Sequence, residues 1–172
     1  LMKKAILFGA NGYLGRHIAY FLAQHNIQFI PTGNAPKSIA NYSNYKQIDI
    51  TNKTALSQLD FNVDDVFVFA GLTGTSNTPA DIERFTAVNE QGLSNIISCC
   101  EGIKGLRIIF PSTRLIFKGV ENTPLKEDDA KDPKTIYAKN KLACEEQLST
   151  ASVESTIFRI CVPYGNLFDW YK

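Results

Sequence analysis

Tyr137 and Lys141 lie four residues apart in the run Tyr-Ala-Lys-Asn-Lys, a spacing that places both side chains on one face of a helix. A free phenol has a pKa of about 10 and exchanges protons poorly at neutral pH. A neighbouring ammonium favours the phenolate and brings that pKa toward the range of a general acid/base. The pair therefore predicts proton-transfer chemistry, but the same spacing occurs on ordinary helix surfaces, so its meaning depends on the accompanying residues.

Two hydroxyl side chains, Ser112 and Thr113, follow an apolar run over residues 106–110 that is typical of a buried strand. Open α/β sheets bind their ligands at the carboxyl ends of the strands. A hydroxyl at that edge can polarise a substrate carbonyl while Tyr137 moves the proton. The expected catalytic residues are Thr113, Ser112, Tyr137 and Lys141.

A glycine-rich turn with the spacing GxxGxxG joins the first apolar run to the first helical segment, at Gly9, Gly12 and Gly15. This is a variant of the dinucleotide-binding fingerprint. Gly9 permits the sharp turn, Gly12 lets the backbone approach a pyrophosphate, and Gly15 allows close packing of the helix on the strand. The helix N-terminus then presents free N–H groups and a positive dipole end to the phosphates. The turn predicts a dinucleotide cofactor, whose positive nicotinamide, when oxidised, would further favour the phenolate of Tyr137.

The loop at the end of the second strand bears on which dinucleotide is bound. NAD-binding folds usually carry a carboxylate there for the ribose 2′-OH, and residues 30–37 contain none. Thr32 or Asn34 can bond a ribose, and Lys37 can meet a 2′-phosphate or can be an ordinary loop charge. The loop favours NADP slightly.

The positions of these residues follow from the alternation of two hydrophobic periods along the chain. Apolar runs typical of strands cover 4–8, 27–30, 45–50, 66–69, 106–110 and 155–160, with the second ended by Pro31 and Gly33. Helical spacing covers 12–25, 52–59 (capped by Thr51), 79–100 and 136–148. Strands separated by helices imply crossover units, so the sequence predicts a doubly wound parallel α/β sheet of Rossmann type.

Composition excludes several other classes. The 172 residues include 18 Lys and Arg against 17 Asp and Glu, so a net charge of +1 gives no field that would gather nucleic acid or an acidic membrane. No apolar run approaches the roughly 20 residues that span a bilayer. The four Cys show no CxxC spacing and there are two His, so no metal site is expected. The expected setting is a reducing cytoplasm.

The order of these pieces resembles the extended short-chain dehydrogenase/reductase superfamily, in its nucleotide-sugar epimerase, dehydratase and reductase branch. The resemblance adds an acidic-apolar adenine contact at Asp49-Ile50, a strand end over the cofactor at residues 69–71, Val88-Asn89 in the next helix, and a closing segment over residues 158–165. With the loop residues above, the expected cofactor contacts are Gly9, Asn11, Gly12, Tyr13, Leu14, Gly15, Thr32, Asn34, Asp49, Ile50, Phe69, Ala70, Gly71, Asn89, Tyr137, Lys141, Cys161 and Val162.

The resemblance implies NAD(P)-dependent hydride transfer on a sugar nucleotide, by an epimerase or a keto-sugar reductase. Dehydration is less expected, because dehydratases of this branch follow the catalytic Thr with Asp-Glu and here Arg114-Leu115 follow Thr113. Val162 stands where many epimerases have a substrate-binding Asn, which weakens a strict 4-epimerase. Which sugar nucleotide is used is left open.

The resemblance also bears on domains and partners. Residues 1–172 are expected to form one NAD(P)-binding domain that carries the Tyr and Lys, and most of the C-terminal substrate domain of the family is not expected in this chain. A homodimer is expected by resemblance. The alternative is a catalytically silent NAD(P)-binding sensor or scaffold, although such relatives usually lose the Tyr or the Lys, and both are present here.

Overall fold

The structure is a computed structural model that describes residues 3–74 and 77–165. Six parallel strands form one sheet in the order β3-β2-β1-β4-β5-β6. This is the doubly wound arrangement expected for a Rossmann-type domain, and the predicted fold class is confirmed. The strands are β1 (Lys4–Phe8), β2 (Gln28–Gly33), β3 (Lys46–Gln47), β4 (Asp65–Val68), β5 (Arg107–Thr113) and β6 (Glu154–Ile160).

Helices connect most successive strands and cover both faces of the sheet, whereas β2 leads to β3 through a segment without a helix. The helices are α1 (Tyr13–Gln24), α2 (Lys53–Leu56), α3 (Pro79–Phe85), α4 (Gly92–Cys100) and α5 (Ile136–Thr150). Hydroxyl caps fix the starts of two of them, because Thr78 Oγ1 accepts from Asp81 N and Thr135 Oγ1 accepts from Ala138 N. Within the described part of the chain, no helix is long and apolar enough to cross a membrane.

The alternation of side chains along the strands divides the core between the two faces. In β1, Ile6 and Phe8 pack in the larger cluster under α2, α4 and α5, whereas Leu7 packs with Ala19 of α1 on the other face. Strands buried on both faces explain why the apolar runs were continuous in the sequence. The core therefore holds the carboxyl ends of β1, β4 and β5 at a common edge.

The second strand does not end at Pro31, as predicted, but continues to Gly33. The carbonyl of Thr32 points toward β1, where it accepts from Gly9 N, and the carbonyl of Gly33 points toward β3, where it accepts from Ile48 N. Since these directions alternate, the nitrogen of Pro31 faces the β3 side before β3 begins. Its missing N–H therefore removes no ladder hydrogen bond.

The predicted third strand over 45–50 and the helix capped by Thr51 are both shorter than expected. The chain turns at Asp49, whose Oδ1 accepts from both the N–H and the hydroxyl of Thr51. The cap of α2 is the next residue, Asn52, whose side chain accepts from Ala55 N. The turn that ends the strand thus uses the hydroxyl that was expected to begin the helix.

The predicted helix over 79–100 contains a π-helical segment, Thr86–Gln91, between α3 and α4. The sequence shows no break there, because the apolar stripe continues through the segment. The extra residue in a π-helical turn directs Asn89 into the protein, where it is buried. The Asn89 side chain of this segment supports the candidate site.

Candidate active site

Two adjoining cavities lie at the carboxyl edge of the sheet. The tyrosine cavity, of about 480 Å³, contains Tyr137, Lys141, Ser112 and Thr113. The aspartate cavity, of about 460 Å³, contains Asp49. They share Gly12 and the segment Phe69–Leu72, which we call the shared wall. The predicted acid/base pair, hydroxyl pair and glycine turn therefore meet in one continuous cleft.

The glycine turn forms the floor of this cleft, and two of its glycines are required by close contacts. Gly9 has a φ of +85°, and a Cβ there would lie 2.5 Å from Ala70 N. A Cβ on Gly15 would lie 1.9 Å from Gly9 O, so only glycine lets α1 approach the turn. A Cβ on Gly12 would meet Gly9 O alone, at 3.3 Å, which leaves its other sides open to the cleft.

The N-terminal end of α1 adds positive potential at the middle of the cleft. Its cap residue, Gly12, has no side chain for the first-turn N–H groups, and the first turn contains no acidic residue. These N–H groups and the helix dipole favour an anion at that position. The cleft thus suits an elongated ligand with negative charge at its middle and a ring system at each end, which is the form of a nicotinamide dinucleotide.

Lys141 is buried beside the last residues of β5. Its Nζ donates to Pro111 O at 2.6 Å and lies 4.2 Å from the centroid of the Phe110 ring, against 5.8 Å from that of Tyr137. Burial lowers the pKa of Lys141 to about 8 and raises the pKa of Tyr137 above its usual value. The expectation that Lys141 lowers the pKa of Tyr137 is thus wrong for the protein alone. Burial of the phenol raises that pKa, and the Lys141 ammonium, which is directed toward β5, does not offset this effect.

Burial of the Lys141 ammonium without a carboxylate partner should lower stability in a pH-dependent way. Folding lowers its pKa from 10.5 to about 8, so the unfolded chain holds this proton more tightly. The penalty is complete below pH 8 and disappears as the pH rises toward 10.5. We expect the stability of Lys141→Met relative to the parent to be roughly 3 kcal/mol greater at neutral pH than above pH 10.5, because the parent carries the penalty only at the lower pH. The difference should shrink above pH 8 in urea unfolding of both proteins, and a difference independent of pH would contradict this explanation.

The hydroxyl pair forms the last two residues of β5, which runs past the predicted end at residue 110. Thr113 Oγ1 accepts from Leu115 N at 3.2 Å and begins a 3₁₀ turn, and its own hydrogen is still available to donate. Ser112 is 2% exposed, and its hydroxyl makes no close hydrogen bond with the described residues, although it lies near enough to the Glu145 carboxyl to lower the pKa of that group. Both side chains line the tyrosine cavity, so either can bind an oxygen of a ligand.

Most of the expected cofactor contacts line the cleft. The tyrosine cavity includes Tyr13, Leu14, Gly15 and Cys161, and the aspartate cavity includes Gly9, Asn11, Thr32, Asn34, Asp49 and Ile50, while Gly12, Phe69, Ala70 and Gly71 line both. Of the expected cofactor contacts, Asn89 and Val162 line neither cavity, and Lys37, which was considered for a 2′-phosphate, also lines neither. Val162 is 65% exposed beyond the end of β6.

Asn89 supports the cleft from behind. Its Oδ1 accepts from Leu72 N at 2.7 Å and its Nδ2 donates to Leu72 O at 3.0 Å. The side chain therefore replaces a strand neighbour for the shared wall just after β4 ends. The expected direct contact of Asn89 with a cofactor is not seen in the cavity lining, because the π-helical turn directs its amide to the wall's backbone.

Asn11 also acts through the backbone of a neighbouring segment. Its Oδ1 accepts from Ile39 N at 2.9 Å and its Nδ2 donates to Lys37 O at 2.9 Å. These bonds hold the loop after β2 against the glycine turn. Lys37 is held here by its carbonyl, and its side chain does not line the cleft.

Sequence reasoning missed several lining residues, and Arg84 is the most informative of them. It lines the aspartate cavity with Ala87 and Val88, at helical spacing along α3 and the π-helical turn. Among the described residues it is the one Lys or Arg of that cavity. Its spacing of three and four residues from Ala87 and Val88 was the available signal.

Nothing in the described residues indicates a metal centre, since no three His, Cys, Asp or Glu side chains there are placed to hold an ion. The chemistry available from the described groups is therefore a phenol, a buried amine and two hydroxyls, beside a cleft with a helix N-terminus. This set can bind a carbonyl or alcohol and move one proton.

Comparison with known proteins gives relatives over nearly the whole chain. It is 28% identical over 166 residues to the spore coat polysaccharide biosynthesis protein SpsK of Bacillus subtilis, covering 96% of this chain and 55% of that protein. It is 27% identical over 165 residues to the dTDP-4-dehydrorhamnose reductase of Mycolicibacterium smegmatis, covering 95% and 47% respectively. The chain thus spans about half the length of the curated relatives it matches.

The fold is also found among solved structures. The UDP-glucose 4-epimerase of Thermus thermophilus, solved with NAD, superposes with a TM-score of 0.81 at 21% identity, covering 91% of this chain and 54% of that one. This likeness shows a shared fold. The family model described as RmlD substrate binding domain matches residues 2–169. Because that match covers nearly the entire sequence, the chain belongs to the RmlD substrate binding domain family.

Proposed function

We propose that this chain carries the cofactor site and the acid/base pair of an NAD(P)-dependent enzyme that reduces or epimerises a sugar nucleotide. The observation that carries the proposal is the tyrosine cavity, where Tyr137, Lys141 and Thr113 meet the glycine turn. Relatives named as a dTDP-4-dehydrorhamnose reductase and a UDP-glucose 4-epimerase support the substrate class. Reduction converts a keto group of the sugar to a hydroxyl, and epimerisation at a hydroxyl carbon can pass through the same keto form.

The chain's own residues divide the work along the cleft. The N–H groups at the start of α1 would hold the diphosphate of the cofactor, and the shared wall lines both cavities. Thr113, with Ser112 beside it, donates a hydrogen bond to the substrate oxygen. Lys141 would hold the nicotinamide ribose, and Tyr137 gives or takes the hydroxyl proton. When bound, the dinucleotide supplies the hydride acceptor or donor.

The protein alone keeps Tyr137 protonated, which bears on the direction of the reaction. Since burial raises the pKa of this phenol, the residue is a proton donor at neutral pH until another positive charge is brought beside it. A proton donor is what reduction of a ketone to an alcohol requires. For the reverse direction, the positive nicotinamide of an oxidised cofactor would favour the phenolate.

The two forms of the proposal differ in cofactor consumption. The intact protein is mixed either with NADPH or NADH and dTDP-4-dehydrorhamnose, or with NADP⁺ or NAD⁺ and UDP-glucose, and both cofactor absorbance and sugar products are followed. Net loss of reduced cofactor with the keto sugar indicates a reductase. Conversion of UDP-glucose with no net change in cofactor absorbance indicates an epimerase. Binding of dinucleotide with no turnover of either probe would favour the sensor alternative.

In this proposal Arg84, and not Lys37, is the residue that favours NADP, because Arg84 lines the aspartate cavity and Lys37 does not. A guanidinium there can pair with a 2′-phosphate. We expect Arg84→Ala to weaken NADPH binding by about tenfold, the loss of one charge-assisted hydrogen bond, and to leave NADH binding within about twofold. Lys37→Ala is the matched control and should change neither. Equal effects on both dinucleotides in a fluorescence titration would contradict a role in 2′-phosphate selection.

A further inference from the structure

Glu145 continues the row of α5 that carries the acid/base pair. Tyr137, Lys141 and Glu145 are spaced by four residues, so they lie along one face of the helix. Glu145 is buried, with its side chain 6% exposed, although a carboxylate at such a position needs a partner. The mechanism above gives this residue no part.

Arg159 of β6 is that partner, and the pair is bidentate. Arg159 Nε donates to Glu145 Oε1 at 3.0 Å and Nη2 donates to Oε2 at 2.8 Å. Burial alone would raise the pKa of Glu145, but the hydrogen bonds from Arg159 and Ser112, with the charges of Arg159 and Lys131, outweigh it and hold that pKa below its usual value. The carboxylate is therefore ionised and fixed in a fork geometry at neutral pH.

The same guanidinium also holds the irregular segment that follows β5. Its Nη1 donates to Glu127 O at 2.7 Å, and its Cζ lies 5.0 Å from the centroid of the Phe117 ring. One side chain thus joins α5, β6 and the segment that leads from the hydroxyl pair. These contacts restrain Arg159 on several sides, so it has little freedom to adopt another position.

Arg159 of the Glu145–Arg159 pair lies one residue before the end of β6, next to the groups proposed to react. Arg159 is paired in register with Ser112, and the next pair is Ile160 with Thr113. Ile160 and Cys161 then form part of the tyrosine cavity. A shift of β6 relative to α5 would therefore move the cavity wall relative to Tyr137.

We propose that Glu145 and Arg159 are a positioning pair, which fixes the rotation of α5 and the end of β6 so that Tyr137 faces the substrate oxygen. This inference rests on the proposed function. The rate of a proton transfer falls steeply with small displacements of the donor. Removal of Arg159 leaves a buried carboxylate without its partner, which then draws water or moves the helix.

A second ion pair, on the neighbouring strand, provides a matched control. Arg107, at the amino end of β5, donates from Nε to Asp65 Oδ1 at 3.0 Å, and its Nη2 lies 2.8 Å from the same oxygen. This pair also joins neighbouring elements but lies at the amino end of the sheet. Replacement of Arg107 therefore removes an Arg–carboxylate contact without touching the cleft.

The test compares Arg159→Met, Arg159→Lys and Glu145→Gln with Arg107→Met in the intact protein, using the cofactor and sugar probe that the parent turns over. We expect Arg159→Met and Glu145→Gln to lower kcat by about 10- to 100-fold, with KM and the affinity for ADP within about twofold of the parent. Arg159→Lys keeps the positive charge but not the bidentate geometry, so its kcat should lie between those of Arg159→Met and the parent. Arg107→Met should keep the kcat of the parent.

Two results would overturn the inference while leaving the proposed function intact. One is a parent-like kcat in Arg159→Met and Glu145→Gln, and the other is an equal loss in these variants and in Arg107→Met, which would indicate a general effect of stability. If Arg159→Met does not fold, Glu145→Gln and Arg159→Lys decide by the same comparison. A parent that turns over neither probe would instead contradict the proposed function and this inference with it.

Discussion

Tyr137→Phe is expected to lower turnover by about 10²- to 10⁴-fold, the usual contribution of a general acid/base. The substitution keeps the ring, which is half-buried in the tyrosine cavity, and removes only the hydroxyl. The other phenol of this cavity among the described residues, Tyr13, donates its hydroxyl to Gly165 O at 2.9 Å, so it is not expected to replace Tyr137. Turnover is followed by absorbance of the reduced cofactor, and dinucleotide affinity by fluorescence.

Tyr42→Phe is the matched control for this experiment. Tyr42 is a partly buried tyrosine whose pKa is also raised by burial, and its ring packs edge-on against Phe29 away from the cleft. The control should keep full turnover. If Tyr137→Phe binds dinucleotide and also keeps full turnover, the proton is moved by another group and the assignment of Tyr137 is contradicted.

Gly15→Ala is expected to lower the free energy of unfolding by about 3 kcal/mol, at the upper end of overpacking effects. Its Cβ would lie 1.9 Å from Gly9 O and 3.1 Å from Ala10 Cα, both backbone atoms that cannot rotate away. Helix α1 must therefore move off the turn. Urea unfolding measures the loss, and parent-like stability would show that the turn is looser than described.

Gly12→Ala tests ligand binding at the same turn without disturbing the fold. Gly12 has a φ of −72°, which alanine adopts without strain, and its Cβ would meet Gly9 O alone, at 3.3 Å. We expect its stability to change by less than about 1 kcal/mol, because this Cβ points into the open cleft. Its affinity for ADP should fall by about tenfold, as one methyl group displaces a phosphate from the helix N-terminus. Unchanged affinity for ADP would place the diphosphate elsewhere.

The parts of the fold that sequence predicted are those with a local cause. Continuous apolar runs gave the strands because both faces of the sheet are covered, as at Ile6, Leu7 and Phe8. The glycine spacing identified the turn, since close contacts at Gly9 and Gly15 are made within the same few residues. The carboxyl-edge rule then placed the hydroxyl pair in the same cavity as Tyr137.

The parts that sequence did not predict depend on contacts between distant segments. The direction of the Lys141 amine is set by its hydrogen bond to Pro111 O, thirty residues earlier in the chain, and by its contact with the Phe110 ring. The π-helical turn is stabilised by bonds of Asn89 to Leu72, so no local signal marked it. The ion pair of Arg159 with Glu145 could not be predicted without the pairing of β5 with β6.

The central claim is that Tyr137 faces the reactive ring of a dinucleotide bound along the glycine turn. A crystal structure of the protein with NADP⁺ tests this most directly. The account predicts the diphosphate at the N-terminus of α1 and the nicotinamide in the tyrosine cavity, in contact with the Tyr137 hydroxyl. A nicotinamide bound in the aspartate cavity, or a dinucleotide bound outside the cleft, would contradict it.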